Sequence, residues 1–175
     1  AYFGHCETPV SEEFGESCMK GIVYLVNVGM KNEGKLASNF TENSWVYEHG
    51  IATYALGEAA TFCKELKVEI PSLMEVTQRA GQFIIDNQHE KGGWAYLFKT
   101  EAGHADVSVA GWQLQALKAC SHTGMRYQGL TTCINKGLDY LASCQDESGG
   151  YGYTNKNPSG GLDYHTLTGV GMLCN

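Results

Sequence analysis

Residues 79–96 read RAGQFIIDNQHEKGGWAY, and residues 136–153 read KGLDYLASCQDESGGYGY. Laid over each other at a spacing of 57, the stretches match without a gap. A base (Arg79, Lys136), an aromatic (Phe83, Tyr140), an aliphatic (Ile84, Leu141), Gln88 with Gln145 and Glu90 with Glu147 all coincide. Gly92-Gly93 then falls on Gly149-Gly150, Trp94 on Tyr151 and Tyr96 on Tyr153. A fainter copy lies 59 residues upstream, with Lys20-Gly21 and Tyr24-Leu25 in register and Gly34 set against Gly93; Gly29 stands there for the Gln and Lys35 for the Trp. Recurrence at a fixed period is the mark of a repeat architecture. The chain divides into repeats at about 11–68, 69–125 and 126–175 of a single domain, 1–175.

Each repeat has two helical halves. In the first, Val76, Ala80, Phe83 and Ile84 recur as Cys133, Gly137, Tyr140 and Leu141, the spacing of one helix face. Ser72 to Glu75, after Pro71, reads as a capping box that starts the middle helix. The Gly-Gly pairs end these helices, because glycine reaches positive φ at little cost. The second halves, about 47–66, 106–120 and 163 onward, are apolar on more than one side, as Tyr54, Phe62, Trp112 and Leu117 show. A helix apolar on most faces is sandwiched between neighbours, so the second helix of each repeat is expected inside and the first outside. No strand pattern survives. The expectation is an all-α fold of three helical hairpins, 57–59 residues apart.

Composition narrows the function classes. A formal charge of −7 leaves no basic patch for phosphates, which excludes a nucleic-acid partner. No apolar run approaches the roughly 20 residues of a membrane span, so no transmembrane segment is expected. The sequence opens at Ala1 without an initiator Met or a signal peptide, as a piece of a longer chain would. Seven cysteines occur without a CxxC pair. Cys63 and Cys120 stand 57 apart and Cys18 and Cys133 stand 115 apart, the pattern of buried thiols acting as small apolar side chains.

The run base-x3-aromatic-aliphatic-x3-Gln-x3-Gly-Gly-Trp/Tyr resembles the QW repeat of squalene and hopene cyclases. It is similar to repeats of the wider terpenoid-cyclase and protein-prenyltransferase superfamily. The resemblance spans essentially the whole chain and implies part of an α/α-toroid, three hairpins being half of six. It also implies that Gln88, Gly92, Gly93, Trp94, Gln145, Gly149, Gly150 and Tyr151 form a structural motif. In it the Gln amide bonds free backbone groups near a helix end and the ring packs on a neighbouring helix. The acid and metal signatures of the relatives, DxDD, DDxxD and the thioester GCGEQ, do not occur. One partial match does. Prenyltransferase β subunits bind zinc through an Asp-x-Cys ahead of a helix Trp and a His one repeat later. Asp106 precedes Trp112-Gln113, and Asp163-Tyr164-His165-Thr166 gives the second segment, with Ser108 in the place of the Cys. The resemblance thus implies zinc, with Asp106 and His165 as weak candidate ligands, while the missing thiolate argues against prenyl transfer.

All three second helices begin with polar, titratable residues: Glu48 and His49; His104, Asp106 and Ser108; Asp163 and His165. Stacked side by side, these starts are expected to share one rim. Carboxylates beside imidazoles there suit a metal, acid–base work or a polar head group. Equally, acidic residues cap any first helical turn. Tyr151 and Tyr153, like Trp94, Tyr96 and Phe98, either line an apolar slot beside the rim or close the core beneath a loop. The leading reading is a repeat domain that is not catalytic by itself. It would bind an apolar or isoprenoid-like ligand with a polar head, or dock on a protein. The alternatives are part of a cyclase- or prenyltransferase-like enzyme with its catalytic residues elsewhere, and a repeat spacer. Apolar inner helices left open in a partial ring also lead one to expect self-association, or cover from the remaining half of the toroid.

Overall fold

The computed structural model describes residues 8–156 and 164–174. Six α-helices run in sequence: α1 (Gly15–Lys31), α2 (Trp45–Leu66), α3 (Leu73–Asp86), α4 (Val107–His122), α5 (Leu130–Cys144) and α6 (Tyr164–Cys174). A 3-10 turn, Tyr96–Phe98, lies between α3 and α4. Among the described residues the sole extended pairing is an isolated antiparallel bridge, Gln145 to Tyr151, across a Gly-Gly turn. The fold is all-α.

The helices stack in two layers, with α1 against α2 and α3 against α4 across them, while α6 packs chiefly on α4. One layer runs α1, α3, α5 and the other α2, α4, α6, with the most extensive contact between α2 and α4. Layer membership follows from the sequence pattern. In α3 and α5 burial is confined to one side, through Val76, Ala80 and Ile84 and then Cys133, Gly137 and Leu141. In α4 ten of sixteen residues are buried, including Val107, Ala110, Leu114 and Leu117, so that helix is enclosed on most faces. Glycine makes the close approach possible. A Cβ on Gly50 would lie 2.6 Å from the Gln113 amide, one on Gly57 2.8 Å from Ala119 Cβ, and one on Gly111 2.2 Å from Val170. Gln113 then donates to the Val46 carbonyl at 2.9 Å, tying α4 to α2.

Several local expectations change. The first repeat aligns at 58, not 59: Gly34 (φ +91), Gly92 (φ +97) and Gly149 (φ +89) share one left-handed conformation. Leu36, Trp94 and Tyr151 then fill one buried position, at 2%, 0% and 1% exposure, so Leu36 replaces the Trp and Lys35 does not. Ser72 makes no capping bond and itself sits at φ +62, while Glu75 pairs with Arg79 at 2.6 Å on the surface. Of the four side chains expected to be left open, Leu117 is fully buried, Tyr54 and Phe62 are half-buried, and Trp112 alone is exposed. Five of the six described cysteines are buried. Burial pushes the Cys133 thiol up to about 12 and Cys120 to about 11, which keeps both protonated and unreactive. Among the described residues no helix is long and apolar enough to cross a membrane.

Candidate functional site

Three tyrosines from three repeats meet at the start of α4. Tyr47 comes from the first turn of α2, Tyr96 from the 3-10 turn, and Tyr153 from the turn after α5. The Tyr47 hydroxyl lies 3.0 Å from Ser108 Oγ and 3.0 Å from the Tyr96 hydroxyl. Tyr96 in turn lies 2.7 Å from the Tyr153 hydroxyl. Four hydroxyls therefore form one hydrogen-bonded chain. Burial, the largest cause, raises Tyr47 to about 12 and pushes Tyr153 up as well. Tyr96 is placed there by an unusual backbone: Leu97 and Phe98 both sit in the left-handed region, at φ 59 and 51. Such non-glycine residues cost roughly 1–2 kcal/mol each. The same turn seats Phe98 against Trp45, with ring centroids 4.7 Å apart, and against Phe83 at 5.1 Å. Trp94 and Phe98 thus close the core, whereas Tyr96 and Tyr153 join the polar rim.

Asp106 lies beside this chain. It is the N-cap of α4 and fully buried, yet it makes no capping bond, and among the described residues neither carboxylate oxygen has a hydrogen bond of good geometry. Its backbone is held from both sides: its N–H donates to the Trp94 carbonyl at 3.0 Å, and Val107 N–H donates to the Tyr153 carbonyl at 2.9 Å. His104 is exposed, with Nε2 3.5 Å from Asp106 Oδ1. Desolvation raises the Asp106 carboxyl above the usual range, while His104 and the Tyr153 hydroxyl pull it back.

The other expected rim residues separate. His49 is no rim residue. It is fully buried, its Nδ1 accepts the Leu36 N–H at 3.0 Å, and Nε2 therefore carries the proton toward the Ala80 carbonyl at 3.2 Å. With Trp45, Phe83 and Phe98 around it, burial lowers His49 to about 4. Glu48 is spent on its own loop: it accepts from Ser38 N–H and Oγ, both at 2.8 Å, and from Ser44 Oγ at 3.2 Å. The Ser38 bonds hold its carboxyl below the usual range. His165 is exposed on α6. Asp163 lies outside the described residues. Among those described, no three His, Cys, Asp or Glu side chains come together as metal ligands, and the Ser108 hydroxyl is engaged with Tyr47. Among the described residues the donor set does not fit zinc.

The repeat-motif residues bind the turns and the neighbouring helices. Gln88 Nε2 donates to the Gly92 carbonyl at 2.6 Å and to the Cys133 carbonyl at 2.8 Å. Gln145 repeats the first bond, to Gly149 at 3.2 Å. Trp94 donates to the Ile84 carbonyl at 2.9 Å, and its ring lies over Gly137. Tyr151 packs on Gly171 of α6. Gly93 sits against the Tyr140 ring, and Gly150 N–H donates to Asp146 at 3.1 Å. Sequence reasoning missed the hydroxyl chain, although the recurrence of Tyr96 as Tyr153 was a signal for it. It also missed His89, a buried loop histidine bonded to the Ala102 carbonyl at 2.7 Å and to Lys91 N–H at 3.1 Å. In comparison with known proteins, no family model, no curated protein and no solved structure matches this chain.

Proposed function

We propose that this chain is a helical-repeat binding domain of the α/α-toroid kind, resembling the squalene-cyclase and prenyltransferase repeats and not catalytic by itself. Its ligand seat is the start of α4. One observation carries this reading: Asp106 is buried beside the Tyr47–Tyr96–Tyr153 hydroxyls, and among the described residues its carboxylate has no hydrogen bond of good geometry, only the loose approach of His104 and the Tyr153 hydroxyl. Leaving such a group unsatisfied is costly, by roughly 1–3 kcal/mol or more for a charge. A ligand head bearing N–H or O–H donors offsets that cost; an apolar, isoprenoid-like body is compatible with such a head. Isothermal titration with a series of alkyl-ammonium ions and alkanols tests the seat. Heat with one class, lost in a folded Asp106→Asn variant and weakened in Tyr96→Phe, supports it; no heat from either class removes it. The enzyme reading draws on the raised Asp106 carboxyl as a proton donor. Turnover by the purified chain, absent in Asp106→Asn, would replace the binding reading.

A further inference from the structure

Hydrogen atoms are scarce around Asp106. Ser108, Tyr47, Tyr96 and Tyr153 bring one O–H each, and the three contacts between them use three of these four. The fourth belongs to the approach of the Tyr153 hydroxyl to Asp106, since an ionised carboxylate only accepts. The neighbouring peptide groups are engaged as well, Asp106 N–H on the Trp94 carbonyl and Val107 N–H on the Tyr153 carbonyl. What the cluster keeps is lone pairs. Each hydroxyl oxygen in the row has one to spare, and the carboxylate, without a bond of good geometry among the described residues, has most of its own.

Charge points the same way. The start of α4 would by itself attract an anion, but the Asp106 carboxylate already stands there as the N-cap and repels a second negative group. Burial, His104 and the Tyr153 hydroxyl set the Asp106 carboxyl, and no Lys or Arg is among the causes. Among the described residues its one ion-pair partner is His104, with Nε2 3.5 Å from Oδ1. That distance is well beyond the roughly 2.7–2.9 Å of a good charge-assisted bond. The His104 side chain is 59% exposed and that of Asp106 1%, so a loosely held imidazole stands between the carboxylate and solvent.

We propose that the seat takes a primary or secondary organic ammonium, which displaces the His104 ring and points its N–H groups at Asp106 and the tyrosine oxygens. The proposal rests on the reading of Asp106 as a ligand seat, and adds the class of head group and the side chain that covers it. An ammonium suits the seat because it brings donors and a positive charge and asks for no donor in return. A phosphate or carboxylate head brings the wrong charge, and an alcohol brings an oxygen that finds no free hydrogen. His104 is then an internal stand-in for the ligand: it offers a ring nitrogen to the same oxygen, from too far, and yields to a donor that comes closer.

NMR titration of the 175-residue chain with n-butylammonium into the millimolar range tests this, with tetramethylammonium, n-butanol and butyrate as comparison probes. Binding of n-butylammonium is expected to shift the ring signals of His104 and to leave those of His122, at the other end of α4, in place. Tetramethylammonium carries the charge without an N–H and is expected to bind about tenfold more weakly or worse. Removing the cover in His104→Ala should tighten n-butylammonium binding by about twofold or more, and folded Asp106→Asn should lose it. His104→Ser repeats the measurement if circular dichroism shows the alanine variant disturbed. Equal binding of tetramethylammonium, preference for butyrate, or unchanged or weaker binding in both His104 variants overturns the inference. So does binding of n-butanol that Asp106→Asn abolishes while n-butylammonium gives no response, a result that leaves the seat itself standing. Silence from all four probes removes the seat and the inference together.

Discussion

His49 and Asp106 are both buried and titratable, and burial drives them to opposite sensitivities to acid. His49 falls to about 4 when folded, from the ordinary 6.5 of an exposed imidazole. The unfolded chain therefore binds the extra proton first. Stability from neutral His49 is complete above pH 6.5 and is lost as pH falls from 6.5 through about 4, up to about 3 kcal/mol. In His49→Phe the Leu36 N–H loses its acceptor, which costs about 1–3 kcal/mol at neutral pH. Denaturant unfolding across this window should show that variant less stable but flatter with pH than the parent. Asp106 has the reverse sign. Its folded carboxyl is raised, so ionisation works against the fold and stability declines as pH rises through the folded value. Asp106→Asn is thus expected to stabilise the chain at neutral pH by roughly 1 kcal/mol and to bring little gain in acid. A thermal melt showing clear destabilisation at pH 7 would identify Asp106 as a fold-stabilising cap instead of a group held for a ligand.

Among the elements, the turns after α1, α3 and α5 share one device: a left-handed glycine followed two residues later by a large buried side chain. Leu36, Trp94 and Tyr151 occupy that place. Trp94→Ala removes a fully buried ring and its bond to Ile84, and is expected to cost about 3–5 kcal/mol. Trp94→Leu, which copies the first repeat, should cost clearly less, because Leu keeps part of the contact over Gly137. Equal losses in the two variants by chemical denaturation would contradict the shared position. The α2–α4 contact is tight in another way. Gly57→Val would drive its side chain into Ala119 and the Cys120 backbone, prising the helices apart at about 1–3 kcal/mol.

At the scale of the whole molecule, a stack of repeats is held by neighbour contacts, so its middle opens least. The α4 helix touches both α2 and α6 in its own layer and both α3 and α5 across it. Amide exchange should be slowest in α4 and the α2 face against it, and faster in α6, whose Met172 and Leu173 are exposed. Protection in α6 matching that of α4 for the monomer would mean that the molecule opens as one unit.

The period of the sequence by itself determined that the fold is all-α and that Trp94 and Tyr151 follow the two Gly-Gly turns, but it set Lys35 in the first repeat where Leu36 is the buried side chain. Helical spacing and glycine punctuation are local signals, and local signals survive without knowledge of what packs on what. Which polar residues would meet was decided only in three dimensions. Glu48 and His49 are adjacent in sequence, yet a helix turns each residue by about 100°, so one faces its loop and the other the aromatic core. Tyr47, Tyr96 and Tyr153 sit far apart along the chain and meet because three turns converge on α4. That Asp106 lies buried beside them is likewise a property of the packing of those turns, which no spacing records.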